Sequence, residues 1–279
     1  MKKTPQVATI NDLSGFGRCS LTVTIPILSV MGFQCCPLPT AILSNHTGYE
    51  SYLFRDFTEH MPAYLDEWQK LDLDFAAVFT GFLGSAEQAD IVSNFIREVK
   101  HRESEPAPLI FVDPVLGDNG KPYITCTTEI CEAMKKLVSL ADVITPNITE
   151  ACLLLDKEYC GERLDETAAL KLVKELASLG SGKVVLTGVR SKAGMLANLA
   201  FDASQNHFYW VEEPAVEPYY NGAGDVFASV LCGSLLAGMD MQSALEKSAF
   251  FVYLAAKDTA AAGAPVRDGV MFEKYLKML

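Results

Sequence analysis

The chain has 279 residues, 49% hydrophobic and 21% charged, a balance that excludes a disordered or low-complexity protein and supports a sizeable buried core. Its 35 acidic and 23 basic residues leave a net charge of −12, which argues against nucleic acid as a partner but not against a nucleotide held through backbone amides and a metal. In chain order, apolar or β-branched runs at 7–10, 75–79, 109–112, 143–145 and 184–187 read as buried strands. Between and after them, 85–100, 165–179 and 226–238 carry helical stripes, such as Ala89, Val92, Phe95, Ile96 and Val99 in the first. Segments 195–199 and 207–211, joined by a polar turn, predict an antiparallel hairpin near the sheet edge. Repeated strand-then-helix order predicts an α/β fold whose mostly parallel sheet is covered on both faces. No repeat, linker or charge run marks a boundary, so residues 1–279 read as one domain.

Eight cysteines (19, 35, 36, 126, 131, 152, 160 and 232) lie in apolar segments without a CxxC pair, and are expected to be buried free thiols. Asn11, Asp12 and Ser14 interrupt any leader-like apolar run near the start, and no apolar stretch reaches the roughly 18 residues of a membrane span. The expectation is a cytoplasmic chain without a membrane partner.

Ligands of open α/β sheets bind beyond the carboxyl ends of the strands. The polar residues there are Asn11 and Asp12, Gly81, Asp113 with Gly117 and Asp118, Pro146 with Asn147, and Gly188. Two near-motifs carry nothing. Gly180-Ser181-Gly182-Lys183 lacks the first glycine and the hydroxyl of a P-loop and reads as a turn before a strand. Gly15-Phe16-Gly17 has Ser20 at the third glycine position, so dinucleotide binding does not follow.

Asn221-Gly222-Ala223-Gly224-Asp225 runs directly into a helix, and amide hydrogens at a helix start are free to face an anion. Seen alone, Asp225 is equally a helix cap. Beside an amide-lined anion hole, though, a carboxylate can take a hydroxyl proton while the hole stabilises a transferring phosphoryl group, which describes a kinase without a P-loop. Asn147-Ile148-Thr149-Glu150 fits a capping box or part of a magnesium shell. Asp113-Pro114-Val115-Leu116-Gly117-Asp118 adds two carboxylates, which in isolation are turn chemistry.

Gly222 to Asp225 together with Asn147-x-x-Glu150 resembles the ribokinase superfamily. Leu43-Ser44-Asn45-His46-Thr47-Gly48-Tyr49, Gly81-Phe82-Leu83-Gly84-Ser85 and the Asp113 to Asp118 block resemble its pyridoxal kinase branch, in the family's order over residues 7–238. The resemblance implies a ribokinase-like fold and transfer of the ATP γ-phosphoryl group to the 5′-hydroxyl of a B6 vitamer. It implies Asp225 as base and Gly222, Ala223 and Gly224 as anion hole. It places Asp12, Ser14, His46, Thr47, Phe82 and Asp225 at the vitamer, and Asp113, Asn147, Glu150, Thr187, Gly222 and Gly224 at ATP. Asp113, Asp118 and Glu150 would serve magnesium and, in some members, a monovalent cation such as K+. Asp12 stands where many members have Ser, which would favour a cationic vitamer such as pyridoxamine, and Phe82 stands where Tyr is common. A homodimer is implied, with 49–65 as interface or lid. Rival readings are a hydroxymethylpyrimidine or sugar kinase of the same fold and a noncatalytic vitamer-binding protein.

Overall fold

A computed structural model describes residues 4–102, 106–161, 163–192 and 194–279. Its elements, in order, are β1 (Gln6–Ser14), α1 (Ser20–Val30), β2 (Gln34–Leu43), β3 (Phe54–Asp56), α2 (Met61–Lys70), β4 (Phe75–Thr80), α3 (Ala86–His101), β5 (Leu109–Val112), β6 (Gly117–Asp118), β7 (Lys121–Pro122), α4 (Thr128–Val138), β8 (Val143–Ile144), α5 (Ile148–Leu154), α6 (Glu166–Ala177), β9 (Lys183–Arg190), β10 (Met195–Asp202), β11 (His207–Pro214), α7 (Ala223–Leu236) and α8 (Met241–Ala261), followed by 3-10 turns at Val266–Asp268 and Glu273–Met278.

Nine strands form one sheet in the order β11-β10-β9-β8-β5-β4-β1-β2-β3. The pairings from β2 through β1, β4, β5 and β8 to β9 are all parallel. The β10–β11 hairpin adds antiparallel strands at one edge, and β3 does so at the other. Both faces are covered, as the near-continuous apolar runs require. Ala8, Ile10, Val78, Ile110, Val112 and Ile144 point toward a core shared with α2 to α6. The alternate residues Val7, Ala77, Phe79, Phe111 and Val143 point toward α1, α7 and α8. Two of the expected helices begin at side-chain caps: Ser85 accepts from Gln88 N for α3, and Asp165 from Ala168 N for α6. Gly180 sits at φ +117° in a turn before β9, so the P-loop-like tetrapeptide is punctuation.

Two expectations change. Asn11 and Asp12 do not follow the first strand but belong to it, because β1 continues to Ser14 by pairing Leu13 with Ile42 and Ser14 with Leu43 of β2 across a bulge. All eight cysteines are free, but Cys160 is exposed and four others are only half-buried.

The chain leaves β1 toward β2 on one side, while β4 and β5 continue the sheet on the other, so the strand order reverses beside β1. That reversal opens a crevice at the carboxyl ends of β1 and β4. Within the same strand, the Thr9 hydroxyl is buried without a hydrogen-bond partner. Thr9→Val keeps the shape and removes that orphan donor, so the unfolding free energy is expected to stay level or rise by up to about 1 kcal/mol. A denaturant midpoint that falls instead would show that the hydroxyl is satisfied.

Candidate active site

Four segments converge on the crevice. The first is the polar end of β1. Asn11 Oδ1 accepts from the backbone amides of Asp12 at 2.9 Å and Phe82 at 2.8 Å. A Cβ at Gly81 would lie 2.2 Å from the Asn11 side chain, so glycine is required for this approach. The Asn11 side-chain amide is left facing Asp225. Asp12 is 7% exposed; its Oδ2 accepts from Ser14 Oγ at 2.9 Å and its Oδ1 from Ser20 Oγ at 2.5 Å. Ser14 is thus turned onto Asp12, and any ring contact from Asp12 shares oxygens with two serines.

The second segment is the start of α7. Gly222 has φ +71°, and a Cβ there would lie 1.8 Å from the Arg18 carbonyl oxygen, so only glycine lets α7 approach the loop before α1 this closely. The Ala223 amide turns back to the Tyr220 carbonyl at 3.4 Å. A Cβ at Gly224 would meet nothing within 4 Å, so this residue faces open space. The first-turn amides of Gly224 and Asp225 have no helical acceptor. Burial pushes the half-buried Asp225 carboxyl up to about 7, with the charge of Asp12 adding to it and the Ser20 backbone amide and Asn11 side chain opposing it.

The third and fourth segments carry the acidic cluster. Asp113 accepts from Thr145 Oγ1 at 2.7 Å, and burial followed by the charge of Asp225 pushes it up to about 8. Asn147 and Glu150 form the complete capping box of α5. Glu150 Oε2 accepts from Asn147 N at 2.8 Å and its Oε1 from Leu116 N at 3.2 Å, while Asn147 Nδ2 holds the Gly117 carbonyl at 2.9 Å. The capping role is therefore real. Yet Glu150 is also fully enclosed, and burial and Asp113 raise it well above its usual range. Asp118 faces the same cluster. Among the described residues, no three His, Cys, Asp or Glu side chains converge tightly enough to cage a metal ion. Repelling hard carboxylates nevertheless suit a magnesium ion that keeps waters and borrows phosphate oxygens.

Beside this cluster lies a cleft that is open to solvent. It brings together Asp118, Asn147, Thr187, Ala223 and Gly224 with an apolar wall from Phe227, Ala249, Val252 and Ala256. Thr187 is fixed by its amide on the Pro146 carbonyl at 3.0 Å. The sequence motifs gave no hint of the α8 wall, nor of Tyr219, which lines the same cleft. Asn11, a polar residue in an apolar strand, was a visible signal without an assigned role.

His46 is placed differently from its expected vitamer contact. Its Nδ1 accepts from Gly48 N at 3.1 Å, so Nε2 carries the proton and donates to the Arg267 carbonyl at 2.6 Å. Nδ1 thus braces the 44–53 loop internally, and Nε2 pins it to the carboxyl-terminal turn, where Tyr49 Oη also reaches Asp268 at 2.7 Å. Thr47 is exposed on that loop, and Phe82 is half-buried.

A mostly parallel α/β sheet, a helix start open to an anion, an adjacent carboxylate and an acidic cluster define a phosphoryl-transfer site of the ribokinase-like class. A family model described as phosphomethylpyrimidine kinase matches residues 28–268, and the chain belongs to that family. A Bordetella avium relative named pyridoxine/pyridoxal/pyridoxamine kinase is 30% identical over 88% of this chain and 82% of its own. A Bacteroides thetaiotaomicron crystal structure, provisionally described as a phosphomethylpyrimidine kinase and containing pyridoxal, is 40% identical with a TM-score of 0.93, covering 99% of this chain and 96% of that one. A Leishmania donovani pyridoxal kinase in complex with ADP and pyridoxamine is 25% identical with a TM-score of 0.89, covering 98% and 94%.

The electrostatics give a signed expectation. Asp113 and Asp225 hold protons more tightly folded than unfolded, so their stabilisation is complete below about pH 4 and is lost as pH rises through about 7 and 8. Without metal, the melting temperature is expected to fall more between pH 5.5 and 8 in wild type than in Asp113→Asn. An equal fall in both would remove Asp113 from the cluster.

Proposed function

We propose that this chain is an ATP-dependent kinase that phosphorylates the 5′-hydroxyl of a B6 vitamer: pyridoxal, pyridoxine or pyridoxamine. The observation that carries the proposal is Asp225 beside the free amides at the start of α7, within the electrostatic reach of Asp12 and Asp113. The pyridoxal held by the Bacteroides structure and the ADP and pyridoxamine held by the Leishmania enzyme support the choice of ligands.

In this reading the cleft receives ATP, with the base portion against the α8 wall and Thr187, and with the phosphates toward Asn147 and the α7 start. The amides of Gly224 and Asp225 bind the transferring phosphoryl group, with Gly222 and Ala223 shaping the turn that presents them. Asp225 accepts the hydroxyl proton; a base pushed up to about 7 is well matched to neutral pH. Asp113, Asp118 and Glu150 would hold magnesium, which when bound neutralises phosphate charge; the same cluster would take a monovalent cation such as K+. Asp12, Ser14 and Phe82 line the vitamer side, while His46 and Thr47 act through the loop that bounds it. We extend the proposal to a single domain acting as a cytoplasmic homodimer. Exposed Ile42 and Leu53 beside the β3 edge offer an apolar surface for the second copy, and no helix among the described residues is long and apolar enough to cross a membrane.

The family's description favours one second reading, a hydroxymethylpyrimidine acceptor. ADP release by the purified protein with magnesium and each vitamer separately is the direct test, and acceptor-dependent turnover of at least one vitamer is expected. Asp225→Asn nearly preserves shape while removing the base, so kcat is expected to fall by ~10²–10⁴ with little change in KM. Retained activity would place the base elsewhere.

A further inference from the structure

Five non-glycine residues among the described ones have positive φ, and four are Asn or Asp, the types that tolerate it best. The fifth is Ser20, at φ +51°, 7% exposed, on the first turn of α1. Ordinary helix capping does not account for it. The cap position is Cys19, with no side-chain capping bond, and the Ser20 hydroxyl donates away from the helix to Asp12 Oδ1 at 2.5 Å. Asp12 is itself fixed on three sides: by its place in β1, by its amide on Asn11 Oδ1 at 2.9 Å, and by Ser14 Oγ on its second oxygen at 2.9 Å. The Ser20 backbone amide meanwhile faces the Asp225 carboxylate, as does the Asn11 side chain. Unfavourable backbone held by its surroundings at a reaction centre is a reason to look for a role.

We propose that Asp12 and Ser20 are positioning residues: the hydroxyl bond between them holds the start of α1 in the left-handed region, aiming the Ser20 amide at Asp225 and fixing the orientation of the base. This rests on the reading of Asp225 as the base and requires no contact between Asp12 and the substrate. The Arg18 carbonyl packed against Gly222, two residues before Ser20, joins the same turn to the anion hole. Moving Ser20 therefore moves both halves of the reaction centre.

The test uses the full chain and whichever acceptor wild type turns over. Ser20→Ala removes the hydroxyl that holds the positive φ and keeps a side chain that disfavours it, whereas Ser20→Gly removes the hydroxyl but lets the backbone take that φ without strain. Both are expected to lose ~10–10² in kcat from misplacement of the base, with KM for ATP nearly unchanged. Ser20→Gly is expected to melt no lower than Ser20→Ala. Asp12→Asn retains an oxygen for Ser20 and is expected to recover most of the kcat that Asp12→Ala loses. The double variant Asp12→Ala/Ser20→Ala should be no slower than the slower single one, because one linkage is lost in each. Wild-type kcat in a folded Ser20→Ala, or additive losses in the double variant, would overturn the inference. Failure of the functional reading is visible separately, as a wild type silent toward every acceptor, and would remove both.

Discussion

Like charge confined in a small space is the constraint around which this protein is built. Asp12 from β1, Asp113 after β5, Asp118 from β6, Glu150 from α5 and Asp225 from α7 converge at the carboxyl ends of the strands. Charges a few ångströms apart near a protein surface repel by several kcal/mol, and here burial adds a cost for each ionised form. The surrounding groups hold the carboxyls in place with neutral hydrogen bonds: Thr145 on Asp113, two backbone amides on Glu150, two serines on Asp12. No Lys or Arg ion pair is found with Asp12, Asp113, Glu150 or Asp225 among the described residues, so their charge is met by the protons that Asp113, Glu150 and Asp225 hold more tightly or by a bound cation.

Backbone packing sets where that charge can act. The starts of α1 and α7 touch through the Arg18 carbonyl and the missing side chain of Gly222. Arg18 continues outward, its guanidinium on Glu273 at 2.5 Å and its amide on the Asp268 carbonyl at 3.2 Å. The 44–53 loop grips the same carboxyl-terminal turn through His46 and Tyr49. Gly269 lies so near Arg18 that a Cβ would come within 2.7 Å of it. Loop, anion hole and carboxyl-terminal segment thus form one mechanical unit, which explains why a histidine in a ligand-like motif spends both nitrogens on protein partners.

Legibility in the sequence followed the range of the interactions. The parallel strands and the stripes of α3, α6 and α7 were readable because period and burial are local properties, and the edge hairpin because its turn is polar. β2 was hidden by Pro37 and Pro39, which usually argue against a strand. They are tolerated because β3 pairs only with Ala41 to Leu43, leaving the first half of β2 as a free edge. The site motifs appeared at strand ends where the fold demands them, and Gly222 to Asp225, Asn147 and Glu150 do lie around one crevice. The clasp between His46 and Arg267 and the α8 wall depend on contacts spanning many tens to hundreds of residues, and the left-handed Ser20 on a hydroxyl bond to Asp12 that the sequence pattern does not report. The capping and acidic roles of Glu150 looked like alternatives in the sequence; in the structure one side chain fills both.

The remaining question is which hydroxymethyl-bearing ring the crevice accepts, because the family's description names a pyrimidine while its pyridoxal-bound member holds a pyridine. The most direct measurement is a competition: equimolar pyridoxal and hydroxymethylpyrimidine with limiting magnesium-ATP, and the phosphorylated products identified by mass. Pyridoxal 5′-phosphate as the main product is the expected result, and its loss on Asp225→Asn would tie it to this site. Phosphorylated pyrimidine as the main product would contradict the account of the substrate.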